Sequence, residues 1–324
     1  MNVLVTGGCG FIGSHIVEYA LAQGDEVVVV DDLSTGLLKN IAAFQNHPKF
    51  YFEKANILNW SNLQKYVDWS DRIYHMAAVI GIYRVLENPV NVLTTNIQGC
   101  EKLLHAISTR EKRPQVIIPS SSSVYGHNDS ALLNENDTLH IKSSAHPLSY
   151  YALSKIAQEA LGFAYHHTEK VPITVIRLFN TIGPRQTGRY GMVVPRFIQQ
   201  ACTNKPMTVF GDGTQTRSFC DVRDVVSVLN LLANTKESDG EIINVGFDKE
   251  ISIGDLAEFI RKKANSNSPI HHITYKEAYG EELTDIKQRR PDISKLYQLT
   301  DFKYQWSLSD TIDDLIQKFY ETKQ

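Results

Sequence analysis

Tyr151 and Lys155 are the side chains of this 324-residue sequence best suited to moving a proton. They stand four residues apart in Tyr150-Tyr151-Ala152-Leu153-Ser154-Lys155, and Ile156, Ala157, Leu161 and Ala164 continue the stretch with helical apolar spacing. Residues four apart on a helix lie one above the other on the same face. A phenol titrates near pH ~10, and a cation within a few ångströms lowers such a pKa by roughly 1 to 3 units. The expectation is that Lys155 makes Tyr151 a general base near neutral pH. The spacing also arises by chance, so its weight depends on the elements around it.

Those elements begin at the first residues. Residues 2–6 read as a short buried strand, Gly7-Gly8-Cys9-Gly10-Phe11-Ile12-Gly13 as a tight turn, and Ile12, Val17, Ala20 and Leu21 as the apolar stripe of a helix. Strand, glycine turn and helix in that order form the phosphate-binding unit of a dinucleotide fold. Gly7 permits the turn, Gly10 lets the backbone approach a pyrophosphate, Gly13 lets the helix pack on the strand, and the helix N-terminus turns its unpaired amides to the phosphates. Residues 26–32 form a β-branched run ending in Asp31 and Asp32, about 20 residues after the turn, where a carboxylate bonds the adenosine ribose hydroxyls. Carboxylates there repel a 2′-phosphate, so NAD is expected rather than NADP.

Further strands are expected at residues 50–52, 72–75, 115–119 and 173–178, with helical patterns between them, one of them over 91–108. The alternation predicts an α/β fold, a doubly wound parallel sheet with helices on both faces. Asn56 and Ile57 follow the third strand, where they either touch adenine or simply form a turn. His75 reads as a core residue, and Ala77 and Ala78 as small residues where the backbone passes close to a cofactor. Ser120 to Ser123, at the carboxyl end of the fifth strand, stand where ligands bind in open sheets.

Beyond residue 178 the texture changes to turn formers and an exposed cation in Asn180 to Gln186. A helix over 193–201, a strand over 207–210, a helix capped by Asp221 or Asp224, and helices over 252–264, 292–298 and 309–320 follow. The division expected is 1–179 for the dinucleotide-binding part and 180–324 for a smaller, mainly substrate-binding region, with the chain crossing between the two.

Composition excludes several classes. Apolar content of 42%, charged content of 21% and a net charge of −3 leave no basic surplus for nucleic acid. Cys9, Cys100, Cys202 and Cys220 are dispersed, without C-x-x-C, so neither a metal site nor a disulfide framework is expected. A reducing cytoplasm fits that pattern. Residues 3–5 lead straight into glycines and do not read as a signal peptide. No stretch approaches the ~18 apolar residues of a membrane span.

The set Thr6-Gly7-x-x-Gly10-x-x-Gly13, Asp31, Ala77-Ala78, Asn96, the serines before Val124-Tyr125-Gly126, Tyr151-x-x-x-Lys155, Arg177-x-Phe179-Asn180 and Asp212-Gly213-x-x-x-x-Arg217 resembles the extended short-chain dehydrogenase/reductases. Within them it is similar to the NAD-dependent nucleotide-sugar epimerase/dehydratase group, which includes UDP-glucose 4-epimerase. The resemblance implies a Rossmann-type domain with a smaller C-terminal substrate-binding region. It implies NAD bound by Gly7, Gly10, Phe11, Ile12 and Gly13 in the first turn, and by Asp31, Asp32, Ser34, Thr35 and Gly36 after the second strand. Asn56, Ile57, Ala77, Ala78 and Asn96 complete the cofactor set with Tyr151 and Lys155. Tyr151 would take a sugar hydroxyl proton, Lys155 would hold the nicotinamide ribose, and Ser121 would hydrogen-bond the reacting oxygen. Ser122 and Ser123 would line the sugar site, with Asn180 and Arg217 on the nucleotide-sugar pyrophosphate and Val194 and Phe210 toward the base. Arg289, in the cluster Lys287, Arg289 and Arg290, reads equally as a phosphate contact and as part of a solvated charge run. Arg185 or Arg189 would recognise a carboxylate. The resemblance also implies a homodimer through a four-helix bundle, although the apolar faces of its two long helices serve equally well inside one protomer.

The group divides by the fate of the oxidised sugar. Its dehydratases need an Asp-Glu pair after the catalytic Thr, where this chain has Ser122 and Ser123, and its UDP-glucuronate decarboxylases place a glutamate where Ser123 stands. A 4-epimerase needs no additional acid, so the expectation is reversible C4 epimerisation of a UDP-hexose, its N-acetyl form or its uronic acid. Decarboxylation or 4,6-dehydration of a nucleotide sugar is the alternative, and residues 184–197 and 291–295 resemble the decarboxylases as much as the epimerases. A non-catalytic NAD-binding scaffold is the remote alternative, since such relatives lose the tyrosine or lysine kept here. Asn56 replaces an aspartate common at its position.

Overall fold

The computed structural model describes all residues except Asp129, Leu148, Arg189, Tyr190, 281–285 and 322–324. Six parallel strands form in chain order: β1 (Asn2–Thr6), β2 (Glu26–Asp31), β3 (Phe50–Lys54), β4 (Arg72–His75), β5 (Gln115–Ser121) and β6 (Ile173–Leu178). The substrate-side region adds the short strands β7 (Thr181–Ile182), β8 (Met207–Phe210), β9 (Thr216–Ser218) and β10 (Cys220–Asp221), then β11 (Glu241–Val245), β12 (Glu250–Ser252) and β13 (Ile270–Ile273). The main sheet runs β11-β6-β5-β4-β1-β2-β3. Its order reverses at β1, with Thr6 registered against both Val30 and His75. That reversal opens the crevice in which doubly wound sheets bind ligands.

The helices are α1 (Phe11–Ala22), α2 (Leu63–Trp69), α3 (Ile82–Glu87), α4 (Pro89–Ser108), α5 (Ser149–Glu169), α6 (Val193–Cys202), α7 (Val222–Ala233), α8 (Ile253–Lys263), α9 (Tyr275–Tyr279), α10 (Ser294–Leu299) and α11 (Leu308–Glu321). Strand alternation divides the buried side chains between the two faces of the sheet. Val3, Val5, Val27 and Val29 pack with α1 and α7, while Leu4, Val28 and Val30 pack with α2 and α4. Full burial of each such side chain contributes roughly 1.5–3 kcal/mol, which explains why these strands are unbroken apolar runs. A third core, built from α6, α8 and α11 around Phe197, Leu256 and Ile312, carries the smaller region.

Two features bear on the site. The seventh strand, β11, pairs with β6 far downstream of residue 179, and α7 packs on α1, so residues 222–245 return to the main sheet. The sequence reading had no strand at 241–245, because a polar Asn244 interrupts a short apolar run there. Helices α4 and α5 pack along each other behind the site. No helix among the described residues is long and apolar enough to cross a membrane.

Candidate active site

The ends of β1, β4, β5 and β6 open into one cavity of about 750 Å³ that runs on into the smaller region. Its cofactor end is a glycine cradle. An added Cβ at Gly7 would lie 2.6 Å from Ala77 N, and one at Gly13 would lie 2.3 Å from Gly7 O, so both close approaches require glycine. Gly10 precedes α1 with no side chain capping the helix, which leaves the first amides facing the cavity beside Phe11 and Ile12.

Asp31 is buried at the far end of this cradle, its carboxylate accepting from Cys9 N at 2.9 Å and Leu33 N at 2.8 Å. Burial raises its pKa, and those two amides oppose the rise. Beside it, Asp32 accepts from Asn56 Nδ2 at 2.8 Å, while Asn56 Oδ1 accepts from Leu58 N. The Asn56 side chain therefore braces Asp32 and also lines the cavity. Ser34, Thr35, Ile57, Ala77 and Ala78 line the same end.

Two members of the expected cofactor set lie behind the wall. Asn96 is fully buried, with its amide bonded to Val79 N, Val79 O and Ser154 Oγ, so in this structure its side chain positions the 79 loop and α5. Gly36 backs onto Asp31, where an added Cβ would meet Asp31 Oδ2 at 2.7 Å. Close packing explains that glycine. His75 is a core residue as expected: Nδ1 bonds Thr6 Oγ1 at 2.9 Å, and burial pushes the imidazole down to about 3, so it is neutral.

The three residues expected to carry the chemistry meet where β5 reaches α5. The Ser121 hydroxyl accepts from Ser123 N at 3.1 Å and is hydrogen-bonded to Tyr151. Lys155 lies one turn further along α5 and is only 2% exposed. Its Nζ donates to Pro119 O at 2.8 Å and Gln158 Oε1 at 2.7 Å, and Gln158 in turn donates to Asn96 O. The expectation that Lys155 depresses the Tyr151 pKa is not met in this arrangement. Burial pushes Tyr151 up to about 12, opposed by its bond to Ser121, and pushes Lys155 down to about 8. The cause is geometric: the long Lys155 side chain runs back to β5 and does not point along the helix to the phenol.

The rest of the cavity is cationic. Among its described lining residues the only carboxylates are Asp31 and Asp32, against Lys142, Lys155, Arg185, Arg196, Arg217 and Arg289. Ser122, Ser123, Asn180, Val194, Phe210, Arg217 and Arg289 all line it. Arg217 Nη1 donates to Thr216 O and Ile286 O, which fixes its guanidinium at the wall. Arg290 faces Glu250 instead, at 3.8 Å. Arg185 also lines the cavity, but its guanidinium reaches Glu18 of α1 at 2.5 Å and Ser14 at 3.4 Å. Its charge is thus engaged by α1 and not held free for a ligand carboxylate. Arg189, the other residue expected in that role, lies outside the described residues.

Sequence reasoning missed Arg196, whose guanidinium lies 3.7 Å from the centre of the Phe210 ring, and Tyr275, packed edge-on to the same ring. A single arginine within the otherwise apolar run 193–198 was the available signal. It also missed His127, His140, Lys142 and His146, four basic lining residues in the segment between the serines and Tyr151.

A family model described as the NAD dependent epimerase/dehydratase family matches residues 3–246. The chain belongs to that family. Its cofactor is NAD, and the glycine cradle and Asp31 fit it. The UDP-N-acetyl-alpha-D-glucosaminuronate decarboxylase of Bacillus cytotoxicus is 33% identical over 98% of this chain and 97% of its own length. A UDP-glucuronic acid 4-epimerase from Bacillus cereus, solved with UDP-glucuronic acid and NAD, is similar at 32% identity and TM-score 0.88, covering 99% of this chain and all of its own. A UDP-N-acetylglucosamine 4-epimerase from Methanobrevibacter ruminantium M1, solved with UDP-N-acetylmuramic acid, gives 29% identity and TM-score 0.89 over 99% of this chain and 98% of its own.

Proposed function

We propose that this protein oxidises C4 of a UDP-linked hexuronate and releases carbon dioxide from the oxidised sugar. The observation that carries this reading is the reacting centre of Ser121, Tyr151 and Lys155 in a cavity whose sugar and nucleotide parts are lined by cations and, among the described residues, by no carboxylate. Two of the relatives above, both more than 30% identical over essentially the whole chain, are named for uronic acids. When bound, NAD supplies the oxidant that takes up the C4 hydrogen and later returns it.

The chain's own residues do the rest. Ionised Tyr151 takes the C4 hydroxyl proton, helped by the Ser121 hydroxyl on the same oxygen. A C4 ketone is β to the C6 carboxylate, so breaking C5–C6 expels carbon dioxide and leaves its electron pair on an enolate centred on the C4 oxygen. Tyr151, now protonated, and Ser121 both donate to that oxygen and stabilise the charge developing there. C5 then takes a proton from water, and Tyr151 gives its proton to the C4 oxygen as the hydrogen returns to C4. Lys155, buried beside the serine strand, holds the ribose side of the cofactor and fixes α5 against β5.

Epimerisation at C4 is the second reading, favoured by one observation: Ser122 and Ser123 stand where an acid would assist bond cleavage, and Ser123 Oγ is buried without a hydrogen-bond partner. A ketone that keeps its C6 carboxylate and is reduced on its other face gives the C4 epimer. Incubation of the purified protein and NAD with UDP-glucuronate, UDP-N-acetylglucosaminuronate, UDP-glucose and UDP-N-acetylglucosamine, read by mass and proton NMR, separates the readings. A uronate product lighter by carbon dioxide supports the first. Unchanged mass with an inverted C4 signal selects the second, and turnover of the neutral sugars alone overturns the uronate assignment. We also propose a homodimer through α4 and α5. Leu93, Ile97, Leu153 and Ala157 on those helices are only half-buried and join none of the protomer's cores; a monomer mass by light scattering overturns it.

A further inference from the structure

The segment joining the catalytic serines to the catalytic helix carries His127, His140, Lys142 and His146, and all four line the cavity. Its two ends hang from the reacting centre. His127 is six residues after Ser121, and His146 is five before Tyr151, with His146 O accepting from Ser149 N at the start of α5. Gly126, at φ 58°, bridges to His140, and a Cβ on Gly126 would lie 1.7 Å from His140 O. That backbone bridge ties His140 to the residue next to His127 and makes the segment a strap along the cavity wall. The strap's described acids do not line the cavity. Glu135 accepts from Asn244 N, and Asp137 from Asn134 N.

Two groups of basic side chains therefore line one cavity. Arg196, Arg217 and Arg289 come from the smaller region, beside Phe210 and Tyr275. Lys142 and the three histidines come from the segment tied to Ser121 and Tyr151. A UDP-sugar with its diphosphate at the arginines and C4 at Tyr151 presents its C5 substituent near the strap. A neutral hydroxymethyl group gains little from four basic side chains, whereas a carboxylate gains charge-assisted hydrogen bonds. Ser123 Oγ, buried and unpartnered at the same end, is a further donor.

Resting on the uronate reading above, the geometry points to the strap of His127, His140, Lys142 and His146 as the determinant that selects a C6 carboxylate over a neutral sugar. Arg185, one of the two arginines expected from sequence in that role, is engaged by Glu18. Lys142 and His140 are exposed on the strap, so both tolerate substitution without disturbing a core.

The test is competition binding to the NAD-loaded protein with UDP, UDP-glucose and UDP-glucuronate. Wild type binds UDP-glucuronate about tenfold or more tightly than UDP-glucose, the gain of a hydrogen bond between charged groups. Lys142→Gln combined with His140→Gln brings that ratio close to one while UDP and UDP-glucose affinities stay within about twofold, and Lys142→Glu reverses the preference. Retention of the uronate preference by these variants overturns the strap assignment and leaves the uronate reading standing. An equal loss for UDP and UDP-glucose also overturns it, because the strap then holds the diphosphate. A wild type without preference overturns both.

Discussion

Exchanging Asn56 and Asp32 tests the adenosine end of the cavity at the level of single atoms. Asn56 Nδ2 donates to Asp32 Oδ2 at 2.8 Å, while Asn56 Oδ1 accepts from Leu58 N and Asp32 Oδ1 from Ser34 N. Asn56→Asp keeps the acceptor toward Leu58 and removes only the donor. A carboxylate then faces a carboxylate, with charge centres about 4 Å apart. Two such charges repel by about 1 kcal/mol in water and about 4 kcal/mol at an effective dielectric of about 20. The lost hydrogen bond to a charged acceptor adds about 1.5–3 kcal/mol. Both groups are half-buried, so the net cost expected is about 3 kcal/mol, near the lower end of that sum. A melting temperature lower by several degrees follows. NAD affinity, read by calorimetry, falls about tenfold or more as the repelled Asp32 leaves the ribose wall. The double variant Asp32→Asn with Asn56→Asp restores one donor and one charge in mirrored order. It should recover stability to within about 0.5 kcal/mol. If the double variant is as destabilised as the two single losses added together, the pair is not the brace described here.

Other consequences are simpler to check. Gly13→Ala puts a methyl group 2.3 Å from Gly7 O, so α1 must move off β1; NAD binding is lost and the melting temperature falls, whereas an unchanged NAD titration contradicts the cradle. Tyr151→Phe retains NAD but loses about 10²–10⁴-fold in turnover, and wild-type rates in that variant remove Tyr151 from the base role. With burial holding Tyr151 near 12 and Lys155 near 8, the ionised fraction of Tyr151 increases tenfold per pH unit below its pKa, and Lys155 keeps its charge up to about 8. Turnover should therefore rise from pH 6 toward 8 and flatten or fall above it; a pH-independent rate over 6–8 refutes that ionisation. Glu159→Ala strips the two carboxylate bonds from buried Arg177, at 2.9 and 2.8 Å, and should cost about 3–5 kcal/mol in urea unfolding. An unfolding midpoint equal to wild type would show that the pair bears no such strain.

Chemistry at short sequence range was legible in the sequence by itself. The strands at residues 2–6, 72–75 and 173–178 have the bounds read from the sequence, and their apolar residues fill both faces of the sheet. The glycine cradle, Asp31, Ser121, Tyr151 and Lys155 were legible because a tight turn, a strand end and one helical turn fix where each residue stands before any long-range contact forms. Tertiary structure alone decided what those side chains touch. Lys155 turns back to Pro119 O, Asn96 bonds Val79 and Ser154, and Arg185 is taken by Glu18, a residue 167 positions away. Asn244 in β11 shows the same limit. It is fully buried, it accepts from Tyr125 OH, and no local pattern marked it, since a buried polar group is explained only by partners brought from elsewhere in the chain. The basic strap was visible as four letters, but its place along the cavity wall depends on a bridge between Gly126 and His140 that only folding makes.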